Sequence, residues 1–448
     1  MDATSGPDSP SHRQILAVAW PVILANVATP LLGLVDTAVI GHLRPAAALG
    51  AIAVGSLILN FIYWAFGFLR MGTTGFVAQA HGANNVSAVR IATLRSTGLG
   101  LAIGILLIAL QTPLSAIALH LMAPGPEVLS AARDYVSIRI WGAPATLVSY
   151  AVVGTLIGLG RTRTLLALQI LLNGLNLILD VVLAGVLDWG VAGIAIGTLI
   201  AEWVAAIVGA VVIWRQLTAN HETGKPIVAW REIVRAGPLL RTFRAHADIM
   251  IRTLGLLWGF AWFTRTGAQL GDTILAANHV LLGLISFSAF FLDGFAFTTE
   301  SFVGRAKGRG DRPTFDRVVR RTSQWAAATA LALGLLFTLG GTTFIAVLTD
   351  LPGVRTAAAE NLPAMIIYVV VGVAAFQLDG IFIGCTATRA MRNASIVSVL
   401  LFMGLCHVML PICGNQGLWI AFNGFVLFRA ATLAVAFPGL RNRISAAS

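Results

Sequence analysis

Carboxylates, amides and hydroxyls stand at helical spacing inside stretches that are otherwise leucine, isoleucine, valine and alanine. Asn173, Asn176 and Asp180 lie three and four residues apart, and Thr198 and Glu202 repeat the four-residue step. Residues so spaced project from one face of a helix. Asp36 interrupts another apolar run, Leu31-Leu-Gly-Leu-Val-Asp, and Pro21 lies earlier in that run, where it removes a backbone donor and can kink a helix. Two chemistries suit such a polar stripe. One is hydrogen bonding that holds neighbouring helices together. The other is a buried site for a proton or small cation, which explains why carboxylates accompany the amides. A carboxyl group withdrawn from water holds its proton more readily, so it can load on one side of a membrane and unload on the other.

The second half embeds Asp293, Glu300 and Asp379 in comparable surroundings. Each is a candidate second coupling or substrate group, or a structural cap on a broken helix. Arg70, Arg252 and Arg429 are candidate partners, although the long stem of Arg252 suits snorkelling to an interface. Phe61, Tyr63, Trp64, Phe66 and Met71 crowd one segment with aromatic and soft side chains. Such a surface can hold amphiphilic cations by apolar and cation–π contact, and it also suits lipid contact or helix packing.

The elements that must carry these groups are membrane helices. Charged residues make up 11% of the 448 and hydrophobic residues 57%, with a mean hydropathy of +0.84. No single water-soluble core hides that much apolar surface, whereas a bilayer solvates it. Apolar stretches of spanning length recur about a dozen times at roughly 20 residues each. The expected fold is an all-α polytopic membrane protein with about 12 transmembrane helices. The polar segments between them carry most of the Lys and Arg, among them Arg13, Arg163, Arg244, Arg309, Arg389 and Arg443. With the N-terminus inside, the positive segments fall inside, so both termini are expected to be cytoplasmic in a bacterial inner membrane. The net charge of +11 therefore reads as topology and lipid headgroup contact, not as a nucleic-acid surface.

The expected organisation is a cytoplasmic tail (1–14), an N-terminal lobe (15–214), a linker (215–246), a C-terminal lobe (247–438) and a second cytoplasmic tail (439–448). Within the linker, Ile227-Val-Ala-Trp-Arg-Glu-Ile-Val-Arg has basic and apolar faces and suits a membrane surface. The lobes repeat one another. Phe76, Val77, Ala80 and Gly82 match Phe302, Val303, Ala306 and Gly308, while Gly154, Gly158 and Arg163 match Gly380, Gly384 and Arg389. Six spans per lobe is an even number, so the repeat is parallel, with a pseudo-two-fold along the membrane normal. Two such lobes leave a cavity that can open to either side in turn. The first apolar segment lacks a small-residue cleavage site and reads as a retained span. Cys385, Cys406 and Cys413 have no metal spacing and read as small core hydrophobes. Neither a phosphate-binding Gly-Lys-Ser/Thr segment nor a metal-spaced histidine cluster occurs, which argues against an enzyme or an ATP-driven pump.

Taken in order, several strings resemble the multidrug and toxic compound extrusion (MATE) family, and within it the DNA-damage-inducible F (DinF) branch. They are Pro21 followed by Val35-Asp36-Thr37-Ala-Val-Ile-Gly-His, and Arg70-Met-Gly-Thr-Thr-Gly-Phe-Val-Ala-Gln-Ala-His-Gly-Ala. Leu292-Asp-Gly-Phe-Ala, Leu378-Asp-Gly-Ile-Phe-Ile-Gly and Met391-Arg-Asn continue the pattern. The resemblance implies two six-helix lobes in a V, working by alternating access, with no cofactor and no bound metal centre. It also implies a polar pocket for the driving cation formed by Asp36, Asn176, Asp180 and Thr198, with Tyr135 as a hydrogen-bonding neighbour. Related transporters often place a glutamate for sodium in the seventh span; Trp258-Gly-Phe-Ala-Trp-Phe has no acid, which favours protons. Sodium at the N-terminal pocket stays open, because Asp, Asn and Thr oxygens suit a hard cation.

The expected activity is export of amphiphilic, cationic or neutral organic compounds in exchange for protons or sodium, by a monomer whose partners are those compounds and membrane lipid. A flippase for lipids or lipid-linked precursors is the alternative. It predicts a basic cavity, whereas the embedded charges here are more acidic than basic. A non-transporting membrane scaffold is a third reading, and the repeat with its buried carboxylates argues against it.

Overall fold

The computed structural model describes the backbone of residues 10–43, 46–123, 125–219 and 230–444, and their side chains except those of 29–43, 46 and 230. The described chain is helical throughout. α1 (His12–Leu43), α2 (Ala46–Ala65), α3 (Phe68–Gly82), α4 (Val86–Ala109), α5 (Gln111–Met122), α6 (Pro126–Arg139), α7 (Ala143–Gly158), α8 (Thr162–Asp180) and α9 (Gly190–Thr218) precede the linker. The linker keeps one helical turn, α10 (Trp230–Ile233); residues 227–229 of the expected amphipathic segment lie outside the described residues. Then follow α11 (Ala236–Gln269), α12 (Asp272–Gly308), α13 (Arg312–Leu348), α14 (Pro352–Gly384) and α15 (Thr388–Asn442). Nine continuous segments among the described residues are long and apolar enough to cross a membrane. α15 contains two spans, because Gly414 leaves helical geometry at φ +55°.

The internal repeat is visible in the backbone. Among the described residues, six of the nine left-handed positions form three pairs 226 positions apart: Asn84 with Gly310, Gly160 with Thr386, and Asp188 with Gly414. The helix starts repeat as well. Asn85 Oδ1 accepts from the Ala88 amide at 2.9 Å, and Asp311 Oδ1 accepts from the Thr314 amide at 2.9 Å. These side chains satisfy amides that the first helical turn leaves unpaired.

Close approach of helices repeats at the same offset. A Cβ on Gly154 would meet the Arg70 carbonyl at 2.5 Å, and one on Gly380 would meet the Ala296 carbonyl at 2.6 Å. Gly158 faces the Thr74 carbonyl at 3.0 Å, as Gly384 faces the Glu300 carbonyl at 2.5 Å. Glycine at these four positions is therefore a packing requirement, letting α3 reach α7 and α12 reach α14 backbone to backbone. Without a hydrophobic drive between helices in lipid, such contact supplies much of the association energy.

Two compact units result, Leu24–Thr242 and Met1–Ile23 with Phe243–Ser448. Part of the first span, which the sequence places in the N-terminal lobe, thus groups with the C-terminal half. There Ala19 packs with Phe295 and Ala326, and Ile23 lies against Gly294. The C-terminal unit centres on buried rings. Phe263 lies 4.5 Å from Phe422 and Tyr368 stacks on Phe422 at 4.8 Å, centroid to centroid. Trp419 Nε1 donates to Asn278 Oδ1 at 2.9 Å, and the Asn278 and Asn415 amides pair reciprocally, bracing α15 just beyond Gly414. Of the cysteines, Cys385 and Cys406 are buried, whereas Cys413 is exposed at the Gly414 break and is not the core residue expected.

Candidate functional site

α8 presents Asn176 and Asp180 one turn apart, both fully buried. Asn176 Nδ2 donates to Asp180 Oδ2 at 2.9 Å and to Thr198 Oγ1 on α9 at 3.2 Å. The Thr198 hydroxyl donates to the Ile194 carbonyl at 2.9 Å, so it is free to accept from the amide. α9 can come this near because it carries Gly197, where a Cβ would stand 2.6 Å from Asp180 Oδ1. At Gly193, one turn earlier, a Cβ would stand 2.9 Å from the backbone nitrogen of Ala184, inside the π-helical turn Val181–Val186 that follows Asp180. Among the described residues, Asn176 Oδ1 has no donor. The result is a cluster of carboxylate, amide and hydroxyl oxygens, which can take a proton or a hard monovalent cation.

The other expected members divide. The side chain of Asp36 lies outside the described residues, although its backbone belongs to α1. Asn173 accepts from Gln169 Nε2 at 3.1 Å, one turn before it on the same helix. Tyr135 hydrogen-bonds Ser56 on α2, oxygen to oxygen at 3.0 Å. Glu202 is clamped by Arg139, with both Nη1–Oε2 and Nη2–Oε1 at 2.8 Å. A bidentate pair of this kind gives the carboxylate a fixed geometry. Tyr63, Tyr135 and Tyr150 ring this pair within electrostatic reach. Arg139 escaped the sequence reading; its signal was a cation placed inside an apolar span, in Val136-Ser-Ile-Arg-Ile-Trp.

In the C-terminal unit Asp379 is buried between two arginines. Arg252 Nη2 donates to Asp379 Oδ2, and Arg429 Nη2 stands 3.8 Å from the same oxygen. Arg252 is 7% exposed, so the expectation that it snorkels is corrected: a carboxylate 127 residues away draws it inward. Asp293 is half-buried and within electrostatic reach of Arg429. Glu300 is buried, on the turn of α12 that Gly384 presses against. The aromatic set of the second span does not form one surface. Phe61 and Trp64 are exposed, Tyr63 is buried, and Phe66 and Met71 are half-buried, with Phe66 edge-on to Phe68 at 6.0 Å. Positions 61 and 64 share a helix face and 63 does not, which is why composition alone misplaced it.

A doubled set of apolar helices long enough to span a bilayer, with buried ion pairs and a carboxyl–amide–hydroxyl cluster among them, defines a multi-pass membrane protein with enclosed polar sites. The chain matches the MatE family model over residues 21–182 and 249–408, more than half its length, and it belongs to the MATE family of transporters. It is 37% identical over 425 residues to DNA damage-inducible protein F of Escherichia coli (strain K12), covering 95% of this chain and 91% of that protein. It is 26% identical to a probable multidrug resistance protein NorM of Thermotoga maritima, covering 95% and 92% of the two chains. Its fold is similar to an outward-facing multidrug resistance MATE transporter of the MOP superfamily, with TM-score 0.84 and 19% identity across 98% of this chain and 97% of that one.

Proposed function

We propose that the protein is an antiporter of a bacterial inner membrane that exports amphiphilic, cationic or neutral organic compounds in exchange for protons. The observation that carries this reading is the Asn176–Asp180–Thr198 cluster, built around one carboxylate, with Asn176 and Asp180 fully buried and Thr198 half-buried. With Asp180 and Asp36 ionised, substrate enters from the inner side. A proton from outside neutralises the pocket, the first span rearranges about Pro21, and substrate leaves. Pro21 suits that role because it stands two residues before Ile23, where α1 passes from one compact unit to the other. Glu202 and Asp379 serve as fixed partners of Arg139, Arg252 and Arg429 instead of as proton carriers, since each is already held by a guanidinium. The same pairing disfavours a phosphate-binding cavity of the flippase kind, because these buried arginines are matched by acids.

The test is substrate flux in proteoliposomes under separately imposed proton and sodium gradients. Wild-type protein is expected to respond to the pH gradient. Asp180→Asn and Asp36→Asn are each expected to lose that response at least about tenfold, which corresponds to roughly 1.4 kcal/mol of lost coupling. Wild-type coupled flux in Asp180→Asn would sink the reading, and a response to sodium alone would replace the proton with sodium.

A further inference from the structure

α11 and α15 lie side by side in the C-terminal unit. The Ser395 hydroxyl donates to the Arg252 carbonyl at 3.0 Å, and Gly255 leaves room for the same serine. At the end where α15 begins, the two helices frame an open cavity of about 450 Å³, lined by Arg244, Ala247, Asp248, Ile251, Arg389 and Arg392. Its one acid is already satisfied on both oxygens: Arg392 Nη1 donates to Asp248 Oδ1 at 2.7 Å and the Thr388 hydroxyl to Oδ2 at 3.0 Å. Arg244 and Arg389 are exposed and, among the described residues, have no acidic or hydrogen-bonding partner. The cavity therefore holds two guanidinium charges in excess. The first turn of α15 adds unpaired amides, since no side chain caps it.

Hydrocarbon-compatible surface leads away from this cationic mouth. Ile251 lines the cavity, and Leu254 and Trp258 follow it at three- and four-residue steps, all exposed on α11. On α15, Ile396 and Leu400 continue from Arg392 at four-residue steps, also exposed. Free phosphate would use only the charged part. A molecule that joins a phosphate to long apolar chains uses both. We propose that this cavity binds the phosphate of an anionic phospholipid between Arg244 and Arg389, its acyl chains lying along the exposed residues of α11 and α15. Arginine suits the role, because its planar fork meets phosphate oxygens two at a time.

The test is lipid binding to the purified full-length protein in detergent, by native mass spectrometry and by thermal shift. The probes are phosphatidylglycerol, phosphatidylcholine and inorganic phosphate. Phosphatidylglycerol is expected to bind and stabilise, the other two not. R244Q/R389Q is expected to weaken phosphatidylglycerol roughly tenfold, R244K/R389K to retain most of it, and R163Q, on the other unit, to leave it unchanged. Equal binding of phosphatidylcholine, stabilisation by phosphate alone, or undiminished binding in R244Q/R389Q each overturns the proposal. If R244Q/R389Q fails to fold, R244K/R389K decides: phosphatidylglycerol binding no stronger than phosphatidylcholine's shows only general lipid contact and overturns the proposal, while selective binding of phosphatidylglycerol supports it.

Discussion

At the scale of single residues, the cluster around Asp180 depends on a side chain that is not there. A methyl group at Gly197 would stand 2.6 Å from Asp180 Oδ1, so the carboxylate or α9 must shift to admit it. Overpacking of this size costs about 1–3 kcal/mol. Gly197→Ala is therefore expected to cut coupled flux at least about tenfold while the protein still inserts and purifies, although no charge or hydrogen-bonding group has been removed. Gly98→Ala, with open space around its Cβ position, is the control and is expected to transport normally. Equal flux in both variants would show that the cluster tolerates displacement. Much of this cluster was legible beforehand, since Asn176 and Asp180 declare a shared face by spacing alone. The clamp on Glu202 was not. Its partner Arg139 is 63 residues away, and nothing local in either segment says that α6 and α9 meet there.

At the scale of elements, the repeat uses one architecture with different chemistry. Asn85 and Asp311 cap equivalent helices with equal geometry, yet only the second can titrate. Burial by itself would push the Asp311 carboxyl up. The hydrogen bonds from the Thr314 hydroxyl and amide, with Arg309 and Arg317 nearby, outweigh it and hold the carboxyl below its ordinary value of 3.8. A depressed carboxyl contributes stability that is present above the unfolded-state value and is lost as pH falls through the folded one. Asp311→Ala is expected to cost about 1 kcal/mol at neutral pH, with the difference from wild type shrinking below about pH 4. Thermal unfolding of the purified pair at pH 7 and pH 3 measures it; a constant difference across that range would show that the cap owes nothing to its charge. The second-span aromatics teach the complementary lesson. Five suitable side chains in eleven positions, Phe61 to Met71, look like a lining by composition, but a helix distributes them around its axis.

At the scale of the whole molecule, two compact units share the first helix, with Met1–Ile23 in one and Leu24 onward in the other. Near the helix start the Arg321 guanidinium donates to the Pro10 carbonyl at 2.6 Å, and Trp325 donates to His12 Nδ1 at 3.0 Å. Hydropathy sees one continuous span there and assigns it whole. Orientation is a property at this scale too. The Arg-rich segments predict that both termini face the cytoplasm. A green fluorescent protein fused after Ser448 is expected to fluoresce and alkaline phosphatase at the same point to stay inactive; the reverse pair would invert the topology.

From the sequence alone came the membrane class, the all-helical fold, the internal repeat, and the face shared by Asn176 and Asp180. All of these rest on residue type and on the fixed period of a helix, which are local and additive. Tertiary structure decided which charges neutralise one another: Arg139 with Glu202, Arg252 and Arg429 with Asp379, Arg392 with Asp248. It also decided which cations were left over. Those outcomes depend on how closely helices approach and at what angle, which glycines such as Gly154 and Gly380 permit but whose partners no stretch of sequence names.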